Sequence, residues 1–379
     1  MHAPLTCEAI LARLVSFDTT SRNSNLPLIA WVREYLDGSG VPYRVSLNPD
    51  GTKANLHAII GPRGPGGLAL AGHVDTVPVD GQAWQSDPFT LRRDCGRLYA
   101  RGAADMKGFV ACMLQAVPRL QAMPLTKPMH LFITYDEEIS CDGARRLAAD
   151  LAESGLAPGA CIVGEPSMMQ PVTGHKGKLD VRVSVRGLAA HSSRPASGVN
   201  AVFAAAEAIG WIAGEARRHA ETGPFDDRFD PPYTTVHVGT VRGGAILNIV
   251  PETAEFAMEW RTVPAVDARA ELARLQAHVA AAIEPAMRKI DPACGFSYVV
   301  TAWLPGLAEL VCAVTGANAP RTVAYGAEAG IFQQEAGIPT LICGPGDIAQ
   351  AHRPDEFVTE AQLEACGRFI LTMAERLLA

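Results

Sequence analysis

"MHLFITYDEEISCDGARRLAADLAESG" occupies residues 129–155. An apolar run, Met129 to Thr134, leads into three successive acids, Asp136, Glu137 and Glu138, and then into a helix-period segment that stops at Gly155. The run reads as a core strand and "DGARRLAADLAES" as an amphipathic helix with a glycine stop. Asp142 is expected to cap that helix at its positive end. Strand, acidic loop and helix in succession form one unit of an α/β layered domain. The three acids could be a solvated turn, or they could hold a metal and move a proton.

The same rhythm continues on both sides. "LTCEAILARLVSF", "LPLIAWVREYL" and "DMKGFVACMLQAVPRLQ" have helical periodicity, whereas "YRVSLN", "ANLHAII", "GLALAG" and "ACIVG" read as strands. This alternation predicts an α/β fold with a mostly parallel sheet flanked by helices. From "KLDVRVSVRG" onward the period changes to two. A helix over about 199–217, the strands "TTVHVGTVRGG" and "ETAEFAMEWRTV", a helix over about 265–289 and the strand "GFSYVV" complete a β-α-β-β-α-β order. That order predicts an inserted ferredoxin-like domain. The α/β rhythm returns in "RTVAYG", "IPTLICG" and a closing helix. The expected plan is therefore a catalytic domain in two pieces, 1–177 and 303–379, around a lid and dimerisation domain at 178–302.

A chain of 379 residues exceeds what one hydrophobic core usually supports. With 48% hydrophobic and 19% charged residues it is not a disordered chain. A net charge of −7 argues against a nucleic-acid partner. No stretch is apolar enough for a membrane span, and the first residues lack a basic region and a small-residue cleavage site. Nine cysteines without CxxC pairing fit free thiols in a reducing cytoplasm.

In "LALAGHVDTVP", His73 and Asp75 are two apart and face the same way in an extended segment. Taken alone, such a pair is most simply a polar strand end. Asp105 in "RGAADMKG", Glu138, Glu165 in "VGEP" and His352 in "AHRPDE" add weight, because each ends a strand or lies in a loop beside one. In open α/β sheets ligands bind at that carboxyl edge. His73, Asp105, Glu138, Glu165 and His352 supply two imidazoles and three carboxylates. This set suits two divalent ions, zinc first, with cobalt or manganese as neighbours.

The motifs "GHVDTVP", "RGAADMKG", "DEE", "GEPS", "GHKG", "AHSSRPASGVNA" and "AHRPDE" occur in one order along the whole chain. In this the sequence resembles the two-metal amidohydrolase family of amino-acid deacylases, desuccinylases and carboxypeptidases. The resemblance implies that His73 and His352 bind one metal each, that Asp105 bridges, and that Glu138 and Glu165 complete the two coordination spheres. It further implies Asp75 as the orienting partner of His73 and Glu137 as the general base. His191 would stabilise an oxyanion in the partner subunit's site, which implies a homodimer. Asn248 and Arg261 would contact substrate from the lid, Arg261 through the α-carboxylate of an N-acyl amino acid.

"AYGAEAGIF" resembles the form this loop takes in family members that deacetylate acetylornithine. Glu328 could then pair with the δ-ammonium of N²-acetyl-L-ornithine, the expected substrate. The same glutamate also fits the N-terminal turn of a helix, where the dipole favours it. Other expectations are a desuccinylase, an aminoacylase or a dipeptidase of the same family and, from a different class, a silent metal-dependent binding module.

Overall fold

The computed structural model describes residues 5–304, 321–323 and 326–379. These fall into two compact units, one comprising 5–173, 321 and 327–379, the other comprising 174–304, 322–323 and 326.

In the first unit, helices α1 (Cys7–Val15) and α2 (Leu26–Gly38) precede strands β1 (Tyr43–Leu47), β2 (Ala54–Ile60) and β3 (Leu68–His73). Short strands β4 (Arg92–Asp94) and β5 (Arg97–Tyr99), helix α3 (Lys107–Gln121) and strand β6 (Met129–Thr134) follow. Helix α4 (Asp142–Ser154), strand β7 (Ala160–Pro166) and the short β8 (Val172–His175) complete this piece.

The second unit holds β9 (Gly177–Arg186), α5 (Ala201–Thr222), β10 (Thr235–Gly243), β11 (Thr253–Thr262), α6 (Ala268–His278), α7 (Glu284–Arg288) and β12 (Gly295–Leu304). The strand expected in "RTVAYG" is reduced to β13 (Arg321–Val323), and Ala324 and Tyr325 lie outside the described residues. Helix α8 (Ala329–Gln334), β14 (Thr340–Gly344), β15 (Phe357–Thr359) and α9 (Glu360–Leu377) close the first unit.

The main sheet runs β1-β2-β6-β3-β7-β14-β8. Its centre, β6-β3-β7-β14, is parallel, and the β1-β2, β2-β6 and β14-β8 pairs are antiparallel. Strands β2, β3 and β6 are buried along their whole length, as continuous apolar runs covered on both faces require. Helix α3 packs on this centre through Phe109, Val110, Met113, Leu114 and Val117, each buried to 1% exposure or less. The contact needs Gly164 on β7, where an added Cβ would lie 1.9 Å from the Phe109 ring. The second unit's sheet, β10-β11-β9-β12, is antiparallel throughout, the strand order of a ferredoxin-like β-α-β-β-α-β unit. Its second helical stretch is not continuous, because a π-helical segment, Val279–Ile283, separates α6 from α7.

A three-stranded sheet, β15-β5-β4, had no counterpart in the sequence expectations. It pairs Phe357 with Tyr99 and Thr359 with Arg97, joining chain segments about 260 residues apart.

Two histidines meet inside the main sheet. His130 Nε2 lies 3.1 Å from the Gly66 carbonyl and therefore carries the proton. His130 Nδ1 is thus the acceptor for His57 Nε2, 2.9 Å away. Burial first, then His130 and Arg44, pushes the His57 pKa down to about 3. The unfolded chain, with its histidine near the ordinary value, takes up the proton first, so this pair contributes stability above pH ~6.5 that is lost on acidification. Each unit of pH below that value should remove about 1 kcal/mol. Thermal unfolding from pH 7.5 to 5 should fall more steeply for the native chain than for His57→Gln. Parallel curves would contradict this assignment.

Candidate active site

His73 ends β3, beside Thr134 at the end of β6, and Glu165 lies near the end of β7. The three parallel strands thus deliver their termini to one edge. Asp105 sits two residues before α3, and His352, with φ +63°, lies in the loop between β14 and β15. Asp136, with φ +58°, turns the chain after β6, so that Glu137 and Glu138 stand in a loop rather than on opposite faces of a strand.

All five expected ligands come together. Asp105 Oδ1 is 3.1 Å from His73 Nε2, and Asp105 Oδ2 is 3.5 Å from His352 Nε2. One carboxylate therefore presents a different oxygen to each imidazole, as a bridging ligand would. Glu138 Oε2 is 3.0 Å from His352 Nε2, and Glu165 Oε1 is 3.7 Å from His73 Nε2. Glu137 Oε2 stands 3.9 Å from His73 Nε2. The site is deeply buried except at His352, whose side chain is 55% exposed.

Asp75 does more than orient His73. The imidazole Nδ1 is 3.0 Å from the Asp75 backbone carbonyl and 3.5 Å from its carboxylate. That carboxylate also accepts the backbone N–H groups of Glu137 (3.0 Å) and Glu138 (3.2 Å) and the Ser21 hydroxyl (2.8 Å). One buried acid thus fixes Glu137 and Glu138 by their main chain. Ser21 carries no local sequence signal and was not anticipated.

The charge balance points to cations. Burial drives Glu137 and Glu165 well above the usual carboxylate range and raises Glu138. Burial also disfavours protonated His73, yet Asp105 and Asp75 outweigh it and hold the imidazole well above its ordinary value. The carboxylates of Asp105 and Glu138 raise His352 to about 10. Without a counter-ion the cluster can only neutralise itself by moving protons onto acids and imidazoles. Glu165 Oε1 is buried with no hydrogen-bond partner. Two divalent ions on these nitrogen and carboxylate donors would satisfy that oxygen and keep every ligand deprotonated, so the residues fit the group.

Two neighbouring acids have structural work. Asp136 is ion-paired with Lys53, and its carbonyl accepts Ser140 and Cys141 N–H. Asp142 is not the helix cap expected of it. The cap position is Cys141, with φ +56°, and Asp142 is the first helical residue, 3.6 Å from Arg145.

Glu328 is fully buried in the first unit, and Thr134 Oγ1 donates to its Oε2 at 2.7 Å. It stands at the N-cap position of α8 but makes no capping bond, and its Oε1 has no partner. Burial pushes its pKa up to about 7.

His191, Asn248 and Arg261 belong to the second unit. There the Ser192 N–H donates to the Asn248 carbonyl at 3.1 Å, so the first two lie on paired segments. Arg261 forms a two-pronged pair with Glu259, both contacts at 3.0 Å.

A second acid–histidine cluster, Glu215, His219 and Glu271, lies in that unit. Arg218 and Arg274 already neutralise its carboxylates at 2.7–2.9 Å, so it is an ion-pair network between α5 and α6 rather than a cation site.

Metal uptake must therefore expel protons. Cobalt or zinc added to chelated protein at pH 6.5 should release at least one proton per chain, read from titration heats in buffers of different ionisation enthalpy. The Asp105→Asn variant should release fewer. Uptake without proton release would contradict this electrostatic reading.

The model for "Peptidase family M20/M25/M40" matches residues 69–376. Over 371 residues, covering 94% of both chains, the sequence is 37% identical to the acetylornithine deacetylase of Myxococcus xanthus. Among solved structures, an M20 metallo-carboxypeptidase of Sulfolobus solfataricus superposes with a TM-score of 0.75 at 19% identity, covering 96% of this chain and 97% of that one. A dinuclear metal-binding M20 peptidase of Bacillus subtilis gives 0.62 at 16% identity, with 97% of each chain covered. These last two speak for the fold, and the sequence matches carry the membership. The chain belongs to peptidase family M20/M25/M40.

Proposed function

We propose that this protein hydrolyses N²-acetyl-L-ornithine to L-ornithine and acetate, a step of arginine biosynthesis, using two divalent ions, zinc first. The observation that carries the proposal is the pair of imidazoles on opposite oxygens of Asp105 with Glu137 alongside. The name of the curated relatives supplies the substrate class. His73, Asp105 and Glu165 would hold one ion, and His352, Asp105 and Glu138 the other. When bound, such a pair acidifies water and polarises a carbonyl.

The chain's own groups do the rest. Glu137 is buried, its carboxylate is biased toward protonation, and Asp75 fixes its backbone. It takes a proton from the attacking water and delivers it to the nitrogen as the C–N bond breaks, and the water's second proton passes from the new carboxyl group to the freed amine, leaving acetate and an ammonium. His191 supports a donor role at the oxyanion. Its Nδ1 is engaged by Ser193, 2.7 Å from the hydroxyl and 3.2 Å from the backbone N–H, so Nε2 is the ring nitrogen left to face an oxyanion.

Arg261 exchanges its pair with Glu259 for the substrate's α-carboxylate, Asn248 contacts the bound acyl amino acid, and Glu328 answers the δ-ammonium. A homodimer through the second unit would bring His191 to its partner's site. The apolar residues exposed in that unit favour such an interface, among them Phe203 (74%), Val241 (58%), Ile246 (58%) and Leu247 (98%).

The test is amine release from N-acetylornithine, N-succinyl-diaminopimelate and N-acetylmethionine by metal-loaded and chelated protein. Turnover should require metal and favour N-acetylornithine at least tenfold in kcat/KM. Glu137→Ala should lower kcat by about 10²–10⁴ and still bind metal. Preference for another substrate would discard the assignment of Glu328, and turnover that survives loss of Glu137 would discard the base.

A further inference from the structure

We infer that Glu356 is a positioning residue for the metal centre, fixing the backbone that carries Asp105 and tying it to the loop that carries His352. The inference rests on the reading of Asp105 as the shared ligand. Glu356 is 1% exposed, and all its acceptor capacity is spent on one short stretch of chain. Its Oε1 accepts the backbone N–H groups of Ala104 (2.9 Å) and Asp105 (3.0 Å). Its Oε2 accepts the Gly102 N–H (3.1 Å) and Arg101 Nη1 (2.7 Å). Its own carbonyl accepts the Ala100 N–H at 3.1 Å, continuing the β5–β15 pairing.

Arg101 extends this hold toward His352. It donates to the Arg353 carbonyl at 3.3 Å and to Gln82 Oε1 at 2.6 Å, and Gln82 Nε2 donates to the His352 carbonyl at 3.2 Å. A carboxylate receiving three amides and a guanidinium sets a unique loop conformation, because no neutral side chain offers two acceptor oxygens of this kind. The loop it sets determines where Asp105 directs its two oxygens. Groups behind metal ligands commonly control affinity in this way, at about 10–100-fold per residue.

Glu356→Gln tests this. It keeps the size of the side chain but places an amide NH₂ against N–H donors. Chelated native and variant proteins are titrated with cobalt, and affinity, stoichiometry and the visible cobalt spectrum are read together with thermal unfolding of the chelated forms. The variant should bind at least one ion about tenfold or more weakly, with an altered cobalt spectrum, and kcat should fall with little change in KM. Glu356→Asp, which keeps both acceptor oxygens, should restore part of the loss.

Two ions bound with native affinity and spectrum, alongside lowered stability of the chelated form, would make Glu356 merely structural and overturn the inference. If Glu356→Gln does not fold, Glu356→Asp takes its place, because the shorter side chain draws the carboxylate back from the three amides, and native cobalt affinity and spectrum in that variant would overturn the inference equally. Failure of the native chain to bind two ions would instead overturn the reading of the metal centre.

Discussion

Five carboxylates, Asp75, Asp105, Glu137, Glu138 and Glu165, are buried around two imidazoles at the carboxyl edge of a parallel sheet. Such an excess of negative charge in a desolvated place is tolerable only with protons or cations. Several features of the first unit serve this constraint. The parallel centre brings the ends of β3, β6 and β7 to one edge, and Phe109 of α3 packs closely against Gly164 beside Glu165. The strain of a positive φ at Asp136 and His352 is accepted where side chains must be aimed at a common point.

Two buried acids, Asp75 and Glu356, act through the main chain. Asp75 receives the amides of Glu137 and Glu138, and Glu356 receives those of Gly102, Ala104 and Asp105. Loops alone would leave ligand positions loose, because they lack ladder hydrogen bonds. A buried carboxylate replaces the missing ladder with charge-assisted bonds. Glu137, Glu138 and Asp105 are thereby located by their backbones.

Much of this was legible in the sequence, for identifiable reasons. Long apolar runs and helical periodicity in segments such as 129–155 carry strong signals, and acids that follow an apolar run mark where the strand ends. The β-α-β-β-α-β order of the second unit followed from the change of period at "KLDVRVSVRG". Three-residue strands such as β4, β5 and β15 have no periodicity to read, so the small sheet was invisible. Glu356 was visible only as another acid after His352, since a solvated and a buried glutamate look alike in a loop. Asp142 resembled a cap, but the left-handed turn at Cys141 took that place. The π-helical interruption at Val279–Ile283 likewise leaves no mark in an alanine-rich stretch.

The central claim is that Asp105 is shared between two ions, each also held by one histidine. A crystal of the zinc-loaded protein, with diffraction recorded on both sides of the zinc absorption edge, tests it directly. The account predicts two anomalous peaks, one beside His73 and Glu165 and one beside His352 and Glu138, with Asp105 between them. A fully loaded crystal with a single peak, or with peaks away from Asp105, would contradict it.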